Sequence, residues 1–62
     1  MSMTINYIEA GRIEWSDFWK GSFQEAREVA TTAVQSHTCD HAEIRSSDGR
    51  LIFHFPRLLR AG

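Results

Sequence analysis

The segment "SFQEAREVATTAVQSH", residues 22–37, decides the fold because it predicts one amphipathic helix. Ser22 and Glu25 make an S-x-x-E capping box, in which the side chain of each accepts a hydrogen bond from the backbone N–H of the other. Apolar side chains then recur at helical spacing as one stripe: Phe23, Ala26, Val29, Ala30, Ala33 and Val34. A lone helix cannot bury its own stripe, so a second layer is expected to cover it.

The segment after the helix, "HAEIRSSDGRLIFHF" at residues 41–55, predicts a β-hairpin with an Asp-Gly turn. A loop of two or four residues places Ile44 opposite Phe53. A three-residue loop with Gly49 as a bulge shifts the register by one and buries His54 instead. We predict the first register, because it collects more large apolar side chains on one face: Ala42, Ile44, Leu51, Phe53 and Phe55.

The segment before the helix, "TINYIEAGRIEW" at residues 4–15, predicts another hairpin. A two-residue Ala10-Gly11 loop would mix polar and apolar side chains on both faces, so a three-residue loop with left-handed Gly11 is expected. The predicted pairs are Tyr7 with Ile13 and Ile5 with Trp15. The next six residues, "SDFWKG", are expected to connect to the helix, with Phe18 and Trp19 covering one edge of the core.

Together these elements predict an α+β fold of ββαββ order, with a four-stranded antiparallel sheet and the helix of about residues 22–37 on one face. Residues 1–62 form a single small domain in this interpretation. Pro56 ends the last strand and begins a tail over residues 56–62. In that tail, Leu58 and Leu59 either fold back onto the core or form a dimer contact.

Composition limits the class of protein. The chain has seven Lys+Arg against eight Asp+Glu, so it carries no strongly basic character that would indicate nucleic-acid binding. Its single cysteine excludes an intramolecular disulfide, which suits a reducing cytoplasm. No stretch approaches the ~20 apolar residues that span a bilayer. We therefore expect a cytoplasmic protein without a membrane partner.

The helix and second hairpin also carry a resemblance. "SFQEAREVATTAV" followed by "AEIRSSDGRLIFHFP", within residues 22–56, resembles small uncharacterised bacterial proteins of ββαββ layout. In those proteins an alanine-rich helix with a Ser or Thr cap precedes a hairpin with an Asp-Gly turn. The resemblance implies the fold and a bacterial origin. It carries over no catalytic or ligand-binding residue.

The segment "SHTCDH", residues 36–41, raises the question of a metal site because His37, Cys39 and His41 alternate. Zinc binds such ligands at about 2.0–2.3 Å, whereas residues i and i+4 of an extended chain lie about 13 Å apart. Only a tightly coiled connection would bring the three to one ion. The favoured interpretation is structural, with His37 at the helix C-terminus and Cys39 partly buried. His54, diagonal to His41 across the second hairpin, is a further metal candidate.

With the helix on one face, the other face of the sheet is open. On this open face Glu43 is predicted to lie opposite His54. The side chains predicted on it are Asn6, Ile8, Arg12, Glu14, His41, Glu43, Arg45, Ile52 and His54. As contact residues we select Arg12, Glu43, Arg45, Ile52 and His54, with Leu58 and Leu59 of the tail.

The sequence contains no catalytic motif and no Gly-rich phosphate loop, so we expect neither enzymatic activity nor a cofactor. The predicted function is that of a protein-interaction or regulatory module, which uses the open face or a homodimer surface. The alternative is nucleic-acid binding through arginines of the sheet and tail: Arg12, Arg45, Arg50, Arg57 and Arg60. That alternative needs exposed aromatic rings for base stacking, so it depends on whether Phe53 and Phe55 face away from the helix. A minor alternative is metal binding by the His/Cys cluster.

Overall fold

The chain forms four strands and one helix in the predicted ββαββ order. The computed structural model describes residues 2–56, so Leu58, Leu59 and the tail beyond Pro56 lie outside the described residues. The elements are β1 (Met3–Glu9), β2 (Arg12–Trp19), α1 (Phe23–Gln35), β3 (His41–Ser46) and β4 (Leu51–Phe55). The strands make one antiparallel sheet in the order β2-β1-β3-β4. The α+β fold class is therefore confirmed.

Helix α1 begins at the predicted capping box. The Glu25 backbone N–H donates to Ser22 Oγ at 3.1 Å, and the Ser22 backbone N–H donates to Glu25 Oε1 at 3.4 Å. The helix lies mainly over β3, β1 and β4. Ala26 and Ala30 are completely buried beneath it, and their small size allows the helix backbone to approach the sheet closely.

The core is thin. It consists of Met3, Ile5, Tyr7, Ala26, Ala30, Cys39, Ala42 and Ile44. Among the described residues, the largest side chains that are fully buried are Ile5 and Ile44, which pair with each other across the two central strands. Removing either side chain beyond Cβ would cost about 2–5 kcal/mol. That loss equals most of the ~3–5 kcal/mol that a domain of this size draws from one core.

The register predicted for the first hairpin is wrong. The turn is the two-residue Ala10-Gly11 loop, with positive φ at both residues (53° and 78°), so Ile8 pairs with Ile13. The register then shifts by one residue, and Glu14 is the extra residue of a β-bulge. Beyond the bulge the pairs are Tyr7–Trp15, Asn6–Ser16, Ile5–Asp17, Thr4–Phe18 and Met3–Trp19. The bulge thereby keeps Trp15 and Trp19 on the helix side of the sheet.

This register also corrects the predicted faces of β2. Arg12 pairs with Glu9, which shares the helix side of β1 with Tyr7, so Arg12 does not lie on the open face. The predicted connection at residues 16–21 is in large part strand, since β2 continues to Trp19. Trp19 packs against the core as expected. Phe18 does not, because it pairs with Thr4 on the open face and is 87% exposed.

The second hairpin has the predicted register but not the predicted loop. Its loop has three residues: the Ser46 N–H donates to the Arg50 carbonyl, and Gly49 has a φ of 88°. A bulge at Ile52 then restores the pairing of Ile44 with Phe53. The same bulge places Leu51 opposite Arg45. The prediction that Leu51 shares the face of Phe53 is therefore wrong.

The phenylalanine side of β4 faces the helix as predicted. Phe53 packs against the core, and its ring meets that of Phe23 edge to face, with 6.2 Å between centroids. Phe55 pairs with buried Ala42 and is only partly exposed. His54 pairs with Glu43 on the opposite, open face.

Candidate functional site

The "SHTCDH" segment closes the helix and fixes the first hairpin. His37 has a left-handed backbone (φ 65°), and its N–H donates to the Val34 carbonyl while the Thr38 N–H donates to that of Ala33. These two bonds make a Schellman motif, which satisfies carbonyls at the helix end. Asp40 then binds the first hairpin, since its carboxylate accepts from the Ala10 N–H at 3.1 Å and its N–H donates to the Ile8 carbonyl. Each contact has a structural role.

The three alternating residues of this segment point to different places. His37 is exposed at the helix end, and Cys39 is buried in the core as a free thiol. His41 is the first residue of β3 and lies on the open face. His41 instead lies beside His54, with 5.4 Å between ring centroids. Within residues 2–56 no three His, Cys, Asp or Glu side chains form a group that could hold a metal ion.

The pair of histidines has few partners. His54 Nδ1 lies 2.7 Å from the Pro56 carbonyl oxygen. His41 Nδ1 is buried and has no hydrogen-bond partner among the described residues. The predicted pairing of His54 with Glu43 is confirmed, and this places a carboxylate beside the two rings.

A buried polar network crosses the open face. Ser16 Oγ donates to Asn6 Oδ1 at 2.7 Å, and Asn6 Nδ2 donates to Glu43 Oε2 at 2.8 Å. Arg45 Nε donates to the same carboxylate at 2.9 Å. Burial raises the pKa of Glu43, but the hydrogen bonds from Arg45 and Asn6, with the nearby His54, outweigh it and hold the pKa below its ordinary value.

This network escaped sequence reasoning because it joins the two hairpins. Asn6 meets Glu43 only if β1 and β3 are neighbours, and the sequence left the strand order open. The available signal was weak: two polar residues, each at the middle of a predicted strand. Asn6 and Glu43 are each only 7% exposed, so the open face presents less polar surface to solvent than predicted.

Large apolar side chains are exposed along β2. Ile13 is 55% exposed, Trp15 65% and Phe18 87%, the three highest values among large apolar side chains of the described residues. Trp15 lies on the helix side, while Ile13 and Phe18 lie on the open face. Each face of this edge strand therefore carries at least one exposed large apolar side chain among polar ones.

A groove runs between α1 and β2, because the helix covers the other three strands more fully. One cavity in it has a volume of about 480 Å³, and its lining includes Tyr7, Glu9, Glu14, Trp15, Ala33 and Cys39. Asp17 accepts hydrogen bonds from Tyr7 Oη at 3.0 Å and from Trp15 Nε1 at 3.2 Å. Burial, together with the hydrogen bond to Asp17, raises the pKa of Tyr7 to about 12, so the phenol stays neutral.

The residues predicted to make contacts do not form one surface. Glu43, Arg45 and His54 share the open face, Arg12 lies on the helix side, Ile52 is the bulged residue of β4, and Leu58 and Leu59 lie outside the described residues. Arg45 is already engaged by Glu43 and by the Gly49 carbonyl at 2.9 Å. The exposed side chains of β2 were missed because Phe18 and Trp15 were expected in the core.

Comparisons with protein-family models, with curated proteins and with solved structures give no significant match. Within residues 2–56 no helix has the length and apolar character needed to cross a membrane.

Proposed function

We propose that the protein is a non-enzymatic interaction module that pairs with a second copy of itself through the free edge of β2. The observation that carries this proposal is the exposure of Ile13 and Phe18 on the open face of one edge strand. Large apolar side chains exposed along an unpaired strand edge are features that β-sheet extension buries.

The edge itself supports the proposal. β2 has eight residues and pairs with β1 on one side, while no strand within residues 2–56 pairs with its other side. Natural edge strands are commonly protected by lysine, proline or inward-pointing charge. Lys20 follows the strand and Arg12 begins it. Within the strand, the helix-side Asp17 and the bulge at Glu14 give some such protection, but Ile13 and Phe18 remain exposed on the open face.

A second copy is favoured as the partner because the core is small. Ile5 and Ile44 are the largest fully buried side chains of the described residues, and domains of this size commonly gain stability by oligomerisation. Antiparallel pairing of β2 with its own copy follows a two-fold axis, so each chain offers the same surface. The exposed side chains of Ile13 and Phe18 would be covered on the open face of the joined sheet.

Sedimentation velocity over a wide range of protein concentrations tests the proposal. The wild-type chain should shift from monomer to dimer with rising concentration. Phe18→Lys places a charge at the edge and should keep the chain monomeric throughout. The matched control is Ile52→Lys, which alters a 40% exposed isoleucine on the opposite edge strand and should leave the dimer intact. A wild-type monomer at every concentration refutes the proposal, and loss of the dimer in the control alone would assign the contact to β4.

Nucleic-acid binding has weaker support. One exposed aromatic ring, Phe18, does lie on the open face, as sheet-based RNA readers require. However, Phe53 faces the helix, Arg12 lies on the helix side, and Arg45 is paired with Glu43. Arg45 lines a cavity together with Phe18, but its charge is already balanced by Glu43, so it is poorly suited to neutralise a phosphate backbone.

A further inference from the structure

The groove between α1 and β2 has an aromatic wall that is held in place. Trp15 is 65% exposed and lines the groove beside buried Tyr7. The Asp17 carboxylate accepts a hydrogen bond from each of these side chains, so one group orients both rings. The cavity of about 480 Å³ is of a size that small ligands occupy.

The charge around this wall has one sign. Glu9 and Glu14 line the cavity, and no arginine or lysine of the described residues lines it. Neither carboxylate forms a salt bridge with a cation within residues 2–56, although Arg12 faces Glu9 in the strand ladder. Cys39 also lines the groove, and its pKa is raised by burial and further by the carboxylates of Glu9 and Asp40. The ionised side chains that line the groove are therefore acidic.

An aromatic face combined with carboxylates is the chemistry that recognises organic cations. A substituted ammonium group is attracted to the face of an indole ring, and its methyl groups lose little by leaving water. We propose that this groove binds a small quaternary ammonium compound, with the cation on Trp15 and its charge balanced by Glu9 and Glu14. The proposal does not depend on self-association, which uses the hydrogen-bonding edge of β2.

The test is an NMR titration of the intact chain with choline at constant ionic strength, followed by the indole N–H signal of Trp15. We expect a saturable shift of this signal and of backbone signals around Glu14 and Cys39. The uncharged analogue 3,3-dimethylbutan-1-ol has the same shape, and it should bind about tenfold more weakly because it lacks the charge. Equal binding of the two compounds, or no saturable shift with choline, would overturn the proposal.

Variants separate a specific site from general charge attraction. Trp15→Leu should abolish saturable binding, and Glu14→Gln should weaken it severalfold. The matched control is Glu28→Gln, which removes the same charge from an exposed position of α1 outside this cavity and should leave choline binding unchanged. If Glu28→Gln weakens binding as much as Glu14→Gln does, the effect is one of net charge and the site is wrongly placed.

The same titration with Phe18→Lys keeps the two proposals apart. Choline should bind this variant as it binds the wild type, because Phe18 lies on the opposite face of the sheet. Binding that occurs only in the dimer would contradict a site built within one chain. A monomeric wild type that still binds choline would refute self-association and leave the groove proposal standing.

Discussion

His37 is the residue just past the C-cap of α1, where the backbone is left-handed and any side chain is unfavourable. Its φ of 65° is the left-handed conformation, which costs an L-residue about 1–2 kcal/mol and costs glycine almost nothing. Histidine reaches this conformation more readily than β-branched residues do. The alternation of His37, Cys39 and His41 is thus explained by a helix cap, a core position and the first residue of a strand.

His37→Gly should therefore stabilise the protein, by about 0.5–1 kcal/mol after the greater freedom of glycine in the unfolded chain is counted. Urea denaturation measures the change in the free energy of unfolding. Gln35→Gly, two residues earlier and within the helix, is the control and should destabilise by about 1 kcal/mol. Equal losses in both variants would mean that the imidazole of His37 makes a contact that offsets its backbone conformation.

Glu43 gives the protein a measurable dependence on pH. Its folded-state pKa lies below the ordinary value of 4.5, so its contribution to stability is fully present above that pH. The contribution is lost as the pH falls from 4.5 through the lowered folded-state pKa. Glu43→Gln should destabilise by about 1–2 kcal/mol at neutral pH, a figure reduced because Arg45 is partly exposed.

The same measurement at several pH values completes the test. Below pH 4.5 the difference between wild type and Glu43→Gln should shrink, since the wild type also loses its charge there. Glu28→Gln, at an exposed helix position, should follow the wild type throughout. A difference in the free energy of unfolding that stays constant at all pH values would show that Glu43→Gln destabilises because the amide does not fit the hydrogen-bond network, and not because the charge is lost.

At the level of elements, each hairpin combines a tight turn with a bulge. The capping box, the helix and the ββαββ order of elements along the chain follow from periodicity and turn residues, and so does the pairing of Ile44 with Phe53. The bulges do not, because Glu14 and Ile52 are ordinary strand residues that carry no local signal. The registers were predicted from the count of apolar residues on each face, on the assumption that the strands are regular. The predicted register is wrong in the first hairpin. In the second it is correct, because the bulge compensates for a loop of a different length.

The Ala10-Gly11 turn of the first hairpin leads to a further prediction about stability. Ala10 and Gly11 both have positive φ, as a type I′ turn requires, and Asn-Gly is the preferred pair there. Ala10→Asn should raise the free energy of unfolding by about 0.5–1 kcal/mol, measured by thermal or urea denaturation. Ala10→Val is the opposite control, because a β-branched residue strongly resists this conformation. A loss of stability with asparagine would indicate that the bond from the Ala10 N–H to Asp40 is disturbed.

At the level of the whole molecule, what the sequence could not supply is the way the two hairpins join. The order β2-β1-β3-β4 places Ile5 against Ile44 and Asn6 against Glu43, pairs that lie far apart in the chain. The same order sets β2 at an edge that the helix covers least, and the groove and the exposed side chains of β2 both result from it. Local patterns determine elements, whereas these surfaces depend on long-range pairing.

The two outer strands of the sheet differ in a way that limits the size of an assembly. In the proposed dimer, β2 of each chain would be paired on both sides, and β4 would lie at each end of the joined sheet. β4 has only five residues, is bulged at Ile52 and is followed by Pro56, so it is a poor template for another chain. If β2 pairs with its copy as proposed, growth is expected to stop at two molecules, and extension of the sheet into a fibre is avoided.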